Sequence, residues 1–366
     1  MSPWPCGCRG SSGSSDLSSP RKGKNRQRTR RLQMFRHFTA LLCAVLLLCA
    51  FGVTPASAGK VWKLGHTLPK DTPEDLAIQD FARRVGELTN GAIKIKVFPA
   101  MQLGDWTVMQ QRVSMGGLEM ATQPPSSQAD KRISFLYFPY LFKNVAMLQK
   151  NLAVGAPFRT ALDQLFIGQN IYPVTYVPLF FGGVGSKTLP KDWDKPGAPK
   201  GIKLRVPNDP SFALHAESMG YQPTPIPMSD TFTALQTGIV DGVLGFGAVG
   251  NYVNYRDLVK YYIPLNDFIQ LWPVMINLKL WEGLPEAQKK AVTQAAGELE
   301  ARRYADFTAL DASYRSKLQQ AGVSVVDVSP EVIDAFAKAA REQCWPALSE
   351  KIDKTWISKA LESITE

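Results

Sequence analysis

The stretch Gly201-Ile202-Lys203-Leu204-Arg205-Val206-Pro207 reads as a strand. Ile202, Leu204 and Val206 alternate with Lys203 and Arg205, the period of two that gives a strand one apolar face. Pro207 ends it, because proline brings no N–H to a ladder. The apolar face must be buried, which turns Arg205 the other way, into solvent or into a cleft. A guanidinium on a rigid strand end matches both oxygens of a carboxylate. The plainer reading is a solvated arginine on a half-buried strand.

Outward from this strand the chain alternates between the two periodicities. Val61–Leu64 is a first strand. Thr72 and Pro73 open a helix whose apolar stripe runs Ile78, Phe81, Val85 and Leu88 and which stops at Asn90-Gly91. Ile93, Ile95 and Val97 form a strand, Val108, Met109 and Val113 mark a second helix, and Leu118–Thr122 fits a short buried strand. This β-α-β-α-β order signals an open α/β domain. The theme repeats through Ile171–Phe181, the Arg205 strand, a helix about Phe212–Met219, a strand-like Gln222–Pro227, a helix about Ser229–Thr237 and a strand Val240–Leu244. Pro285–Gln320 reads as one long amphipathic helix. Val323–Val328 is a strand, and Ser329-Pro330-Glu331 opens terminal helices.

The formal charge of +10 suggests a polyanion partner, but its distribution argues against one. Residues 1–58 hold nine of the 42 Lys and Arg and only one of the 32 acids, Asp16, so the remainder is close to neutral. From Met34, a basic start at Arg36, the apolar run Phe38–Phe51 and the small residues of Ala56-Ser57-Ala58 have the form of a secretory signal cleaved after Ala58. Met34 then reads as the true start, and residues 1–33 as a mis-assigned extension. Cys6, Cys8, Cys43 and Cys49 fall in this leader. Cys344 alone follows it, which rules out an internal disulfide or a sulfur-based metal site. Only His66 and His215 remain as imidazoles, so no metal centre and no cofactor is expected.

Two glycine motifs invite nucleotide readings. Gly245-Phe246-Gly247-Ala248-Val249-Gly250 fits G-x-G-x-x-G, with Asp267 roughly where a ribose-binding acid sits. The strand before it is short, and an exported chain meets little free dinucleotide. Gly182-Gly183-Val184-Gly185-Ser186-Lys187-Thr188 resembles a P-loop but has the wrong residue before its lysine; it reads as a flexible crossing where backbone passes closely. No nucleophile motif of the G-x-S-x-G type occurs.

The order of motifs resembles the DctP-type solute-binding proteins of tripartite ATP-independent periplasmic (TRAP) transporters. Leu64-Gly65-His66-Thr67, Asn90-Gly91 before Ile93–Pro99, Gln102-Leu103-Gly104, Phe138-Pro139-Tyr140-Leu141-Phe142, the Arg205 strand and Ala234-Leu235-Gln236-Thr237-Gly238-Ile239-Val240-Asp241-Gly242 carry the likeness across essentially the whole chain after the leader. The resemblance implies a two-lobed, periplasmic-binding-protein-like α/β fold with hinge strands and a long helix across both lobes. Lobe I would hold 59–182 and about 271–310, lobe II 183–270 and about 311–338, with helices of 339–366 packing on them. It further implies a non-enzymatic periplasmic protein that captures an organic acid between the lobes and delivers it to small and large membrane subunits. Feeding a signalling partner from the same cleft, or an exported dinucleotide-dependent oxidoreductase, are the alternatives.

In the family the arginine matching Arg205 makes a two-pronged salt bridge to the ligand carboxylate. Two departures stand out: Gly245 replaces an asparagine of many relatives, and Gly183-Val184-Gly185 replaces a second arginine. Glycines with Phe180, Phe181, Phe246 and Met228 imply an acid with one carboxylate and a bulkier apolar or aromatic body. Trp106, Ser126 with Ser127, Asn208 and His66 are further candidates for the cleft. For Trp106 a core or surface tryptophan, for the serines a plain loop and for His66 a structural histidine are the competing readings. Trp272 and Asn277, on a segment returning to the first lobe, rank below them. Cys344 reads as a packed helix residue.

Overall fold

The computed structural model describes residues 60–365; the basic leader, the Met34 start and the cleavage after Ala58 lie outside the described residues. β1 (Lys60–His66), α1 (Pro73–Leu88), β2 (Ile93–Phe98), α2 (Trp106–Ser114) and β3 (Met120–Thr122) form the expected β-α-β-α-β run, with β1 parallel to both neighbours. Local chemistry sets these bounds. Thr72 caps α1 by accepting from the Asp75 N–H, with Pro73 at the first position where its missing N–H costs nothing. The chain leaves α1 through Asn90 and Gly91, both at positive φ.

A 3₁₀ segment Lys131–Tyr137, α3 (Val145–Leu152) and α4 (Pro157–Ile167) lead into β4 (Ile171–Phe181). After β4 the chain enters a second sheet with β5 (Val184–Ser186), β6 (Lys203–Val206), α5 (Pro210–Ser218), β7 (Gln222–Pro225), α6 (Thr231–Thr237), β8 (Gly242–Leu244) and β9 (Tyr261–Ile263). It returns with β10 (Ile269–Asn277) and α7 (Leu278–Glu282), and α8 (Glu286–Gln320) follows. β11 (Ser324–Val325), α9 (Pro330–Ala339), α10 (Trp345–Ile352) and α11 (Lys354–Glu362) complete the described chain.

The two sheets run β2-β1-β3-β10-β4 and β11-β9-β5-β8-β6-β7. The chain passes between them after β4, before β10, and along α8. The 35 residues of α8 are fastened to the first sheet's layer by Arg84–Glu298, Arg303–Glu74 and the Thr175 hydroxyl on Glu300. Farther along, Phe307 meets Phe181, Tyr314 meets Tyr252, and Leu318 joins the apolar cluster of the second sheet. No helix among the described residues is long and apolar enough to cross a membrane.

Several elements differ from expectation. Val184–Ser186 is a central strand, antiparallel to both β8 and β9, rather than a flexible crossing. The close passage is real: a Cβ on Gly185 would lie 2.1 Å from Asn251 Oδ1, and one on Gly183 would lie 2.7 Å from the Ile263 carbonyl. The strand expected over Val323–Val328 pairs only at Ser324 and Val325.

Candidate ligand-binding site

Arg205 sits on β6, between β7 and β8, at the register Arg205↔Thr224 and Arg205↔Val243. Ile202, Leu204 and Val206 are buried as the alternation requires, yet Arg205 is only 3% exposed: its face meets the opposite lobe, not solvent. Its Nε donates to the Ile226 carbonyl at 2.9 Å, with a long contact of 3.5 Å from Nη1 to the Leu244 carbonyl. The guanidinium carbon lies 5.3 Å from the centre of the Phe246 ring. Burial lowers its pKa to about 10, against the fields of Tyr255 and Asp105, so it stays charged at neutral pH. No carboxylate among the described residues pairs with it. A buried charge without a counter-ion is costly, and the cost falls when an anion completes the pair.

The space beside this guanidinium is a cavity of about 40 Å³. The β6–β8 side supplies Arg205, Pro207, Phe212, Met228, Gly245 and Phe246; Trp106, Pro124, Tyr137 and Gln270 close it from the elements around the first sheet. Trp106 opens α2 behind its cap Asp105, and its carbonyl accepts from Gln123 at 2.6 Å. The Tyr137 hydroxyl donates to the Pro125 carbonyl at 2.6 Å, and its ring lies 5.0 Å from Phe212. Gly245 must be glycine: its φ is +95° and a Cβ would sit 2.9 Å from Pro207. Tyr255 backs the Phe246 ring at 5.0 Å, and burial pushes its hydroxyl up to about 12, keeping it neutral. The result is one cation and one amide in an otherwise apolar, aromatic lining.

Of the ten residues expected at a site, Arg205, Trp106, Met228, Gly245 and Phe246 converge here. The other five lie outside this lining, each for a physical reason. Phe180 is core, packed so closely on Gly247 that a Cβ there would lie 2.7 Å from it. Phe181 faces α8, its ring 4.7 Å from Phe307. His66 is fully buried with Nε2 3.0 Å from Asp75 Oδ1, tying the end of β1 to the start of α1. Asn208 is exposed. Ser126 is bound through its backbone to both ends of the Gln110 amide and borders a different depression of about 230 Å³ with Thr107, Ser114 and Gln169. That depression has no charged group, and its central amide is already satisfied.

Two further candidates are structural. The Asn277 side chain caps α7 and donates to the Val113 carbonyl, while Trp272 is buried beside the Glu74–Arg303 pair. Ser127 donates its hydroxyl to Asp209 at 2.6 Å. The reading from sequence missed Tyr137, Phe212, Pro124, Pro207 and Gln270. Tyr137 and Pro124 stand beside motifs already singled out, and Asp209-Pro210 is a helix-start signature that places Phe212 on the first turn.

The glycine motif has no room for a pyrophosphate. A Cβ on Gly247 would lie 2.4 Å from the Phe181 carbonyl, and Gly250 packs on Phe246. These glycines admit the protein's own backbone and rings.

Two sheets linked by crossing strands, with a cation facing a cleft between them, define a two-lobed binding protein. The family model for bacterial extracellular solute-binding protein, family 7 (DctP), matches residues 64–350, and the chain belongs to that family. A solute-binding protein of Roseobacter denitrificans is 28% identical over 324 residues, spanning 87% of this chain and 97% of the relative. The solved TRAP solute-binding protein of that organism, with bound L-galactonate, is 25% identical with a TM-score of 0.71, over 81% of this chain and 97% of its own. One from a Sulfitobacter species, with bound β-D-galacturonate, is 20% identical with a TM-score of 0.75, over 83% and 99%.

Proposed function

We propose that this chain is the extracytoplasmic receptor of a TRAP-type transporter and captures an organic acid with a single carboxylate and an apolar or aromatic body; the small cavity favours a compact body over the bulkier one that the glycines implied. Arg205 takes the carboxylate; Trp106, Phe246, Tyr137 and Phe212 take the body. The observation that carries this reading is a buried guanidinium without a carboxylate partner among the described residues, in a cavity whose other walls are mainly apolar. The sugar acids held by the relatives share the carboxylate. Their many hydroxyls require many polar partners, and beyond Arg205 this lining offers only the Gln270 amide, the Trp106 indole N–H and the Tyr137 hydroxyl, which already donates to Pro125. The protein binds without transforming, reaches the periplasm through a signal cleaved after Ala58, and delivers its ligand to small and large membrane subunits.

Thermal unfolding against a panel of acids tests this. Benzoate, phenylacetate and cyclohexanecarboxylate stand for compact apolar or aromatic bodies; galactonate, galacturonate and succinate stand for polyhydroxylated or dicarboxylate ones. Stabilisation by the compact class is expected. Stabilisation by the sugar acids or succinate alone would reject the assignment of the body.

A further inference from the structure

We propose that Asp209, which does not line the ligand cavity, is a latch that holds the two lobes closed and thereby sets affinity. The inference rests on the binding function proposed above. Asp209 follows β6 of the second sheet and is buried. Its Oδ1 accepts from the Ser211 N–H at 2.9 Å, capping α5. Its Oδ2 accepts from two hydroxyls, Ser127 Oγ and Ser134 Oγ, each at 2.6 Å. Both serines lie on the segment that follows β3 of the first sheet. Ser211 Oγ returns a bond of 3.1 Å to the Ser134 carbonyl.

Three hydrogen bonds therefore join one segment of each lobe, two of them to a single carboxylate oxygen. The same segments supply cavity walls: Pro124 and Tyr137 flank the two serines, and Pro207 and Phe212 flank Asp209 and Ser211. The cavity is walled by residues of both lobes, so an organic acid enters when the lobes part and is enclosed when they meet. Parting them separates these walls and breaks the latch together. A ligand's apparent affinity scales with the fraction of protein in the competent state, so a contact that favours closure raises affinity without touching ligand. Hydrogen bonds to a charged acceptor are each worth about ten- to a hundredfold in an equilibrium constant.

The latch populates the closed form before ligand arrives, and that can be measured without knowing the ligand. Small-angle scattering of the ligand-free protein is compared with Ser127→Ala, which removes one bond, and Asp209→Asn. The asparagine oxygen keeps the α5 cap and puts an amide donor where the hydroxyls donate. Ser127→Ala leaves the cap untouched, so a folding defect in Asp209→Asn does not decide the result. Both variants are expected to have a larger radius of gyration, and Ser127→Ala to release bound acid about tenfold faster. Superimposable scattering of all three proteins would overturn the latch, even if an acid binds through Arg205. Expansion of the variants with no acid bound would keep the latch and reject the ligand reading.

Discussion

Replacing Arg205 by methionine should have small consequences for the ligand-free protein and large ones for binding. Removing a buried, unpaired charge in favour of an apolar side chain of similar length is neutral or stabilising by about 1–4 kcal/mol in comparable cases. Against this, the Ile226 carbonyl loses its 2.9 Å donor, at about 1–3 kcal/mol for a buried acceptor left alone. The two nearly cancel, so the ligand-free melting temperature should move by no more than a few degrees. Binding has no such offset. Loss of one partner of a buried charge pair costs about 3–5 kcal/mol, or at least a hundredfold in Kd. An acid supplied at a hundred times the native Kd stabilises the native protein by about 2.7 kcal/mol. At a Kd raised a hundredfold the same concentration gives only about 0.4 kcal/mol. Differential scanning fluorimetry with and without the acid reads both quantities. A ligand-induced shift that survives Arg205→Met would show that the carboxylate is held elsewhere. Collapse of the ligand-free protein would show that the arginine is structural.

Three further outcomes follow from the packing and the buried titratable groups. Gly247→Ala should cost about 3 kcal/mol in urea unfolding, because its Cβ would meet the Phe181 carbonyl at 2.4 Å; a neutral result would reopen the glycine motif as a ligand cradle. Cys344 is buried and its thiol pKa is pushed up to about 12, by burial first and Glu217 second, so a disulfide reagent should modify it only on unfolding. Burial holds His66 below its usual 6.5 despite the hydrogen bond to Asp75. Below that pH the unfolded chain binds the extra proton, so stability is full above about 6.5 and falls with acidification, by at most about 1.4 kcal/mol per pH unit. His66→Gln should flatten the dependence of the urea midpoint between pH 7.5 and 5.5, and an unchanged slope would assign it to other groups.

The elements easiest to read were those whose pattern is local. The alternation in β2 and β6, the caps of α1 and the unbroken run of α8 need nothing beyond neighbouring residues. β5 and β9 were not legible because each has three residues, set among glycine or polar turns, and is a strand only through its neighbours in the sheet. α3 and α4 carry local signals of their own, Asn144 as a cap and Pro157 at the first position. The anchor of the candidate site was legible because a strand must put Arg205 opposite its apolar face. Its surroundings were not: Tyr137, Phe212 and Gln270 are 58 or more residues apart in sequence, Tyr137 and Gln270 brought together around the first sheet and Phe212 meeting them from the opposite lobe. Phe180, Phe181 and Phe246 look alike in sequence, yet the fold sends one to the core, one to α8 and one to the guanidinium.

The fastening of α8 changes along its length, and this bears on how the molecule can open. Ion pairs and a carboxylate–hydroxyl bond grip the helix between Glu298 and Arg303, and such contacts are fixed in direction as well as distance. Past Phe307 the second sheet touches it mainly through rings and aliphatic groups, with Arg315 reaching Asn266 before β10. Apolar surfaces slide with little change in energy over small displacements, because dispersion and area burial have no preferred angle. The helix, about 50 Å long, is therefore keyed to one lobe like an axle to its wheel, and meets the other mainly through surfaces that favour no angle.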